Sequence, residues 1–468
     1  MKRVKFLVCM LLSALAVTAQ AQVTMPSVFS DHMVLQQKSE VPVWGWSGPN
    51  QEIKVVGSWA AGDTVSTRSN DMGQWSLKLK TSEAGGPYTM SVIGWNKVDF
   101  SDVMLGEVWL CSGQSNMGWT PNSGIQNRDE EVAAATDADI RILNIPLRAD
   151  NYPQNDFKGI EWNTCSPEIM ANTSAVAYFF AKRLREAKGI PVGLIVSAWG
   201  GTPAETWIPK DSVESNPVLR NNKMDERHPY RPIDPGVTYN QMICPVIPYA
   251  VAGTIWYQGE SNCNFAETYG FLMKTLIESW RTDFGKDMPF YFVQIAPHRY
   301  NNTKNGPAML REQQEFVSKL VPNTGMVVVS DLVDDVNNIH PINKQDVGKR
   351  LANMALAETY GEPIGGYQSP TYKGMEIKGG KVMVSFYNTG GGIVCRDKKV
   401  EGLLIAGEDG EWVPAEGKVK GDILVVSSDK VRKPVNVRYC FDEATCGNLF
   451  GNSGLPVAPF RTDRKVSL

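Results

Sequence analysis

The chain has 468 residues, 42% of them hydrophobic and 21% charged, with a formal net charge of −3. That is enough for roughly two or three globular domains with large cores, which excludes a disordered protein. The balance offers no basic footprint for nucleic acid, and no late apolar run is long enough to cross a membrane.

Lys2, Arg3 and Lys5 precede an apolar run from Phe6 to Val17, and Ala19-Gln20-Ala21 fits a small-residue cleavage site. Residues 1–21 read as a secretory signal peptide, too short in its apolar part for a stable anchor. Cys9 lies inside the run, so no lipoprotein anchor is expected. Cleavage would leave a periplasmic or secreted chain of charge −6 (−3 less three basic residues) with seven of the eight cysteines. An odd number leaves at least one thiol unpaired within the chain. Cys440 and Cys446 are close enough to form a small loop; the others are scattered, without metal-type spacing.

Residues 22–103 show short alternating stretches, such as Val41–Trp46 and Gln74–Lys80, between turn clusters at 47–50, 70–73 and 84–87. This pattern predicts an N-terminal β-sandwich. Seven of the 13 tryptophans fall between Trp44 and Trp119. They either fill a small core or form a sugar-stacking face.

Residues 104–362 alternate apolar strand runs with helical patterns. The strands are Glu107–Cys111, Val192–Ser197, Ala252–Tyr257, Pro289–Ile295 and Met326–Ser330. The helices are Thr173–Lys188, Ala266–Phe284, Ala308–Leu320 and Lys344–Tyr360, with Gly or Pro stops. This is the signature of an α/β domain with a doubly wound parallel sheet, whose functional residues sit where C-terminal strand ends meet the loops. Residues 363–468 return to short strands and turns, a C-terminal β-rich domain.

Four loops at strand ends could carry chemistry. The first is Ser112-Gly-Gln-Ser-Asn-Met117, which places Ser115 as a candidate nucleophile although it is not a G-x-S-x-G elbow. In Ala198–Trp207, paired glycines could present N–H donors to an oxyanion. Gln258-Gly-Glu-Ser-Asn262 joins two amides and the Glu260 carboxylate. Asp331–Pro341 ends in His340, by position a better base than His32, His228 or His298. Singly, each loop reads equally as an ordinary turn. Together they supply nucleophile, donors, carboxylate and base. No HExxH, paired CxxC, Walker loop or GxGxxG appears.

Gly113-Gln-Ser-Asn-Met117, Gly200-Gly-Thr-Pro-Ala-Glu205, Trp256-Tyr-Gln-Gly-Glu-Ser-Asn262 and His340-Pro-Ile-Asn-Lys344 together resemble the SGNH-type carbohydrate acetylesterases, specifically the bacterial sialate O-acetylesterase-like proteins. Phe29–Gln36, Ala84–Tyr88 and Gly454–Phe460 extend the likeness through most of the chain. The resemblance implies an SGNH, flavodoxin-like three-layer α/β/α domain between flanking β domains. It implies a serine esterase that removes O-acetyl groups from sugars, sialate first among them, with no cofactor and no metal. Ser115 would attack and His340 would act as base. The Ser115 and Gly201 N–H groups, with Gln258 or Asn262, would hold the oxyanion. One departure matters: Asn337 stands where many SGNH enzymes carry an Asp three residues before the histidine. Glu260 is then the first choice to orient His340, with Asp334 and Asp335 next; a Ser–His dyad is the alternative. Acetylxylan or another acetylated glycan is the alternative substrate. A glycosidase using Glu205 and Glu260, and a non-catalytic glycan-binding protein, are the competing classes. Oligomeric state is not legible.

Overall fold

A computed structural model of the chain describes residues 21–60, 62–222, 228–301 and 305–464. Apart from Ala21, the expected signal segment lies outside the described residues. Among the described residues no helix is long and apolar enough to cross a membrane.

Six parallel strands form the centre. They lie in the spatial order Thr324–Val327, Phe290–Val293, Gly253–Tyr257, Lys97–Gly113, Val192–Ala198 and Ile140–Asn144. Residues Asn163–Thr164 add a short antiparallel edge. The chain enters the sheet at the long strand Lys97–Gly113 and later returns to both of its sides. The topological switch point therefore lies beside that strand's C-terminal end, where such sheets hold ligands.

The apolar runs are continuous because both faces are covered. Val108 and Leu110 pack with residues of the helices Tyr269–Asp283 and Gly306–Leu320. Trp109 and Cys111, pointing the other way, pack with the helices Ala175–Lys188 and Lys344–Glu358. The result is three layers, α/β/α. Helix ends follow local chemistry. Ser174 caps the first turn of Ala175–Lys188 by accepting from the Ala177 N–H, and Gly189 closes it at φ +65°. The expected helix start at Ala266 is instead a 3₁₀ stretch, Glu260–Thr268, and the α-helix begins at Tyr269.

In the N-terminal β region, Glu40–Trp46 pairs with Gln74–Lys80 as a ribbon. Glu52–Gly57, Thr64–Arg68 and Gly85–Ile93 form a sheet joined to the long strand. That strand runs without interruption from this region into the central sheet, so the boundary expected after residue 103 falls inside it. The sequence pattern changes there because exposed positions end at Ser101, whereas from Val103 onward every residue is buried. Buried Glu107 ties the regions together. It accepts from Gln36 Nε2 (2.9 Å), Gln37 Nε2 (2.7 Å) and Tyr360 OH (2.9 Å).

Two four-stranded antiparallel sheets and a two-stranded one enclose the C-terminal core of Val382, Val384, Ile405, Leu424 and Val437. This region leans on the central layers through an Arg461–Glu312 ion pair at 2.8 Å and a His298 N–H donated to Glu443 O at 2.9 Å. The seven described cysteines are all free thiols. Cys440 and Cys446 do not close a loop: Cys440 is buried in the C-terminal core, and Cys446 is half-buried.

Candidate functional site

Gly113 ends the long strand at φ +139°, and a Cβ there would stand 2.2 Å from Tyr257 O. Only glycine lets these two strand ends close up. The Gln114 N–H is donated to Tyr257 O at 3.0 Å. Ser115 follows as the first residue of a short helix, Ser115–Gly118. Gly200 crosses beside it, where an added Cβ would lie 3.4 Å from Ser115 Cβ. Gln114, Ser115, Gly200, Gly201, Arg231 and His340 line one cavity of about 720 Å³, together with Glu260 and several neighbours.

His340 Nε2 lies 2.8 Å from Ser115 Oγ. The imidazole stacks on Trp119 with ring centres 3.9 Å apart and planes at 18°. Its backbone N–H is donated to Asn338 Oδ1 at 3.0 Å. Burial, then the nearby Lys344 charge, push the imidazole down to about 4, so it is neutral and able to accept a proton at pH 7.

Among the described residues no carboxylate hydrogen-bonds to the His340 imidazole. Asp335 accepts from the Asn337 N–H and side-chain amide, both at 2.9 Å. Asp334 Oδ1 accepts from the Ile342 N–H at 3.4 Å. Arg299 donates to Asn337 Oδ1 at 3.2 Å. Glu260 Oε1 accepts from Asn116 Nδ2 at 2.6 Å, and its Oε2 is buried without a partner.

Asn116 is the hinge of this arrangement. Besides Glu260, its Nδ2 donates to Ile339 O at 3.0 Å, and its Oδ1 accepts from Lys344 Nζ at 2.6 Å. It thereby ties the serine's helix to the residue just before His340. Burial pushes the Glu260 carboxyl up and the Lys344 ammonium down to about 7; each group's charge opposes the other's shift.

Gln258 and Asn262, expected as oxyanion donors, are fully buried and face protein partners. Gln258 Nε2 donates to Asn262 Oδ1 at 2.7 Å and Thr202 O at 3.2 Å. Asn262 Nδ2 donates to Glu205 Oε2 at 2.8 Å, while its Oδ1 accepts from the Ala204 N–H at 3.0 Å. They hold the glycine loop against the Glu260 loop, and neither lines the cavity. Of the residues expected to supply oxyanion donors, Ser115 and Gly201 line the cavity, beside the side chains of Gln114, Arg231, Asn264 and Tyr300. Glu205 is buried outside the cavity, so the Glu205–Glu260 pair does not flank a common space. His32 pairs with Asp102 at 2.6 Å in the N-terminal region. Among the described residues no group of three or more His, Cys, Asp or Glu could hold a metal ion.

Sequence reasoning passed over three residues that the structure brings to the site. Asn116 and Lys344 stood in the quoted motifs without a role, and their burial could not be read. Arg231 sits in an irregular segment with no period to flag it. Its Nη1 donates to Gly201 O, its Nε is buried without a partner, and among the described residues no carboxylate pairs with it.

A doubly wound sheet carrying a Ser–His contact at its switch point is the frame of a carboxylic ester hydrolase. The family is more particular. Residues 105–357, over half of the chain, match the family described as carbohydrate esterase, sialic acid-specific acetylesterase, and the chain belongs to it. It is 28% identical to the sialate O-acetylesterase of Homo sapiens, over 93% of this chain and 91% of that protein. The corresponding protein of Mus musculus is 27% identical, with 93% of each covered. The crystal structure of a carbohydrate acetylesterase from Xanthomonas citri is 37% identical, with a TM-score of 0.86, covering 94% of this chain and 100% of that one. The chain is thus a carboxylic ester hydrolase of the carbohydrate acetylesterases.

Proposed function

We propose that the protein is an exported serine esterase that removes O-acetyl groups from carbohydrates, 9-O-acetyl sialate first among them. The observation that carries this reading is the 2.8 Å contact between Ser115 Oγ and His340 Nε2 inside the cavity. Ser115 Oγ attacks the acetyl carbonyl while His340 Nε2 takes its proton. The developing oxyanion receives the Ser115 and Gly201 N–H groups. Collapse breaks the ester bond, and His340 returns the proton to the departing sugar oxygen. Water, deprotonated by His340, then cleaves the acyl-enzyme and releases acetate. Glu260 acts through Asn116, and the pair works as a dyad whose imidazole is held by Trp119. Export rests on the pattern of residues 1–21.

Arg231 favours an acidic sugar over xylan. Arg231 lines the cavity, and its guanidinium can take a sugar carboxylate, which a neutral glycan does not offer. The test is acetate release from 9-O-acetyl sialic acid and from 4-nitrophenyl acetate by wild type, Ser115→Ala and Arg231→Gln. Ser115→Ala should abolish both activities and lose fluorophosphonate labelling. Arg231→Gln should raise KM for the sialate ester by about tenfold or more, the loss of a charge-assisted hydrogen bond, and change kcat little. Turnover surviving in Ser115→Ala would sink the mechanism. An unchanged sialate KM in Arg231→Gln would return the substrate to the neutral glycans.

A further inference from the structure

A second cavity, of about 610 Å³, lies between the N-terminal ribbon and the central domain and shares no lining residue with the first. The ribbon supplies most of its floor, Gly45 and Trp75 among the lining residues. Register pairs Trp44 with Ser76 and Trp46 with Gln74, and strand alternation puts these four on the side away from buried Val41 and Val43. Trp44 is explained by packing: it meets Phe29 edge-on at 4.8 Å and closes the core. Trp46 is half-buried and does not belong to that core.

The polar groups around this floor are amides, hydroxyls and one guanidinium. Gln74 Oε1 already accepts from Asn70 Nδ2 at 3.1 Å, which leaves the Gln74 amide nitrogen for an outside acceptor. Arg68 donates one bond, from Nη1 to Asn50 O at 3.0 Å; Glu52 stands opposite it in register, but its carboxylate lies 3.7 Å from Lys54 Nζ and makes no ion pair with Arg68. No Asp or Glu lines the cavity. Gln154, Asn155, Cys244, Ile247 and Pro248 of the central domain form the facing wall. An indole platform, amides and one guanidinium without an acid suit a ring with an apolar face, several oxygens and a negative charge.

We infer that this cleft is a second carbohydrate site, which seats an acidic sugar unit of the glycan outside the catalytic cavity. The ring stacks on Trp46, its hydroxyls accept from Gln74 and Asn155, and its carboxylate meets Arg68. The inference rests on the glycan esterase reading above. It makes long substrates bivalent: a glycan held at the cleft raises the local concentration of its acetyl groups at Ser115.

The test titrates the full chain, with Ser115 blocked by a fluorophosphonate, with 3′-sialyllactose and with lactose by calorimetry. Sialyllactose should bind the blocked protein, and lactose about tenfold or more weakly, one charge-assisted hydrogen bond being missing. Trp46→Ala and Arg68→Gln should each weaken sialyllactose by a similar factor. Both variants, unblocked, should keep kcat/KM for 4-nitrophenyl acetate within about twofold, since neither side chain lines the catalytic cavity. Should Trp46→Ala fail to fold, Arg68→Gln, an exposed substitution, decides. No sialyllactose binding, or binding indifferent to both substitutions, overturns the cleft. Equal binding of lactose with a silent Arg68→Gln overturns its acidic ligand. Failure of Ser115 to label counts against the esterase reading instead, and the variants still decide the cleft on the unblocked chain.

Discussion

Lys344→Met probes the least exposed part of the site. It keeps the apolar stem and deletes an ammonium that donates to Asn116 Oδ1 at 2.6 Å. A hydrogen bond to a charged group contributes about 1.5–3 kcal/mol, a loss in the variant that is offset by no longer burying an ammonium. The larger effect is geometric. Asn116 links the Ser115 helix to Ile339 O, next to His340. A shift of about 1 Å at that joint would cost roughly 10²-fold in kcat. The acid limb of kcat/KM should also move. Wild type should lose activity near pH 4, where His340 protonates. Burial is the first cause of that low value and the Lys344 charge the second, so Lys344→Met should shift the limb upward while burial keeps it below 6.5. Kinetics on 4-nitrophenyl acetate across the acid range, at fixed ionic strength, read both effects. An unmoved limb with unchanged kcat would show that Lys344 does not act on the pair. Stability gives an independent sign. The Lys344 ammonium falls from 10.5 to about 7 on folding, so the unfolded chain holds more protons between those values. This group therefore makes wild type more stable as pH rises from about 7 to 10.5, and urea melts of Lys344→Met should lack that contribution.

Trp119→Ala removes the imidazole's stack and opens it to water; kcat should fall about tenfold and the acid limb should rise toward the ordinary histidine value. A variant with the wild-type limb would mean that Trp119 neither buries nor orients His340. Gly113→Ala sets a Cβ 2.2 Å from Tyr257 O at a φ that side chains avoid, and should cost about 4 kcal/mol or more, read as loss of soluble protein or a lowered urea midpoint. Glu107→Leu leaves Gln36, Gln37 and Tyr360 without their acceptor and should cost about 2–4 kcal/mol in the same melts. Glu107→Gln, which keeps an acceptor oxygen, should cost less.

The layered centre was legible because its strands are buried on both faces and its helices carry stops such as Gly189. The change at residue 103 was legible as pattern, and the continuity of the strand through it was not. A single strand there changes environment without changing conformation, and apolar pattern reports environment. The meeting of Ser115 and His340 was legible because each follows a strand end in the switch-point region. The protein contacts of Gln258 and Asn262 were not, because an amide in a loop can face ligand or protein with the same sequence. Their contacts with Thr202, Ala204 and Glu205 are long-range, set by how two loops stack. Glu260 shows the same limit: its nearest partner is Asn116, and the relay to the histidine's loop exists only in three dimensions.

Asn337 gives this arrangement its sense. A carboxylate three residues before the histidine would raise imidazole basicity and stabilise imidazolium. Here Asn337 turns to Asp335 and Arg299, and the charges bearing on His340 are cationic, Lys344 first and His298 after it. Both features lower the proton affinity of the base. In the proposed mechanism that trades driving force for availability: the imidazole accepts Ser115's proton less eagerly, yet it is free to do so down to about pH 4. The oxyanion donors must then carry more of the barrier reduction, which fits a glycine loop brought within contact distance of the serine by Gln258, Asn262 and Glu205. Substituting Asn262 by Leu should therefore lower kcat through the Gly201 N–H and leave the acid limb near pH 4, whereas Trp119→Ala moves the limb. If both variants moved it alike, the two functions would not be separable and the division of labour argued here would fail.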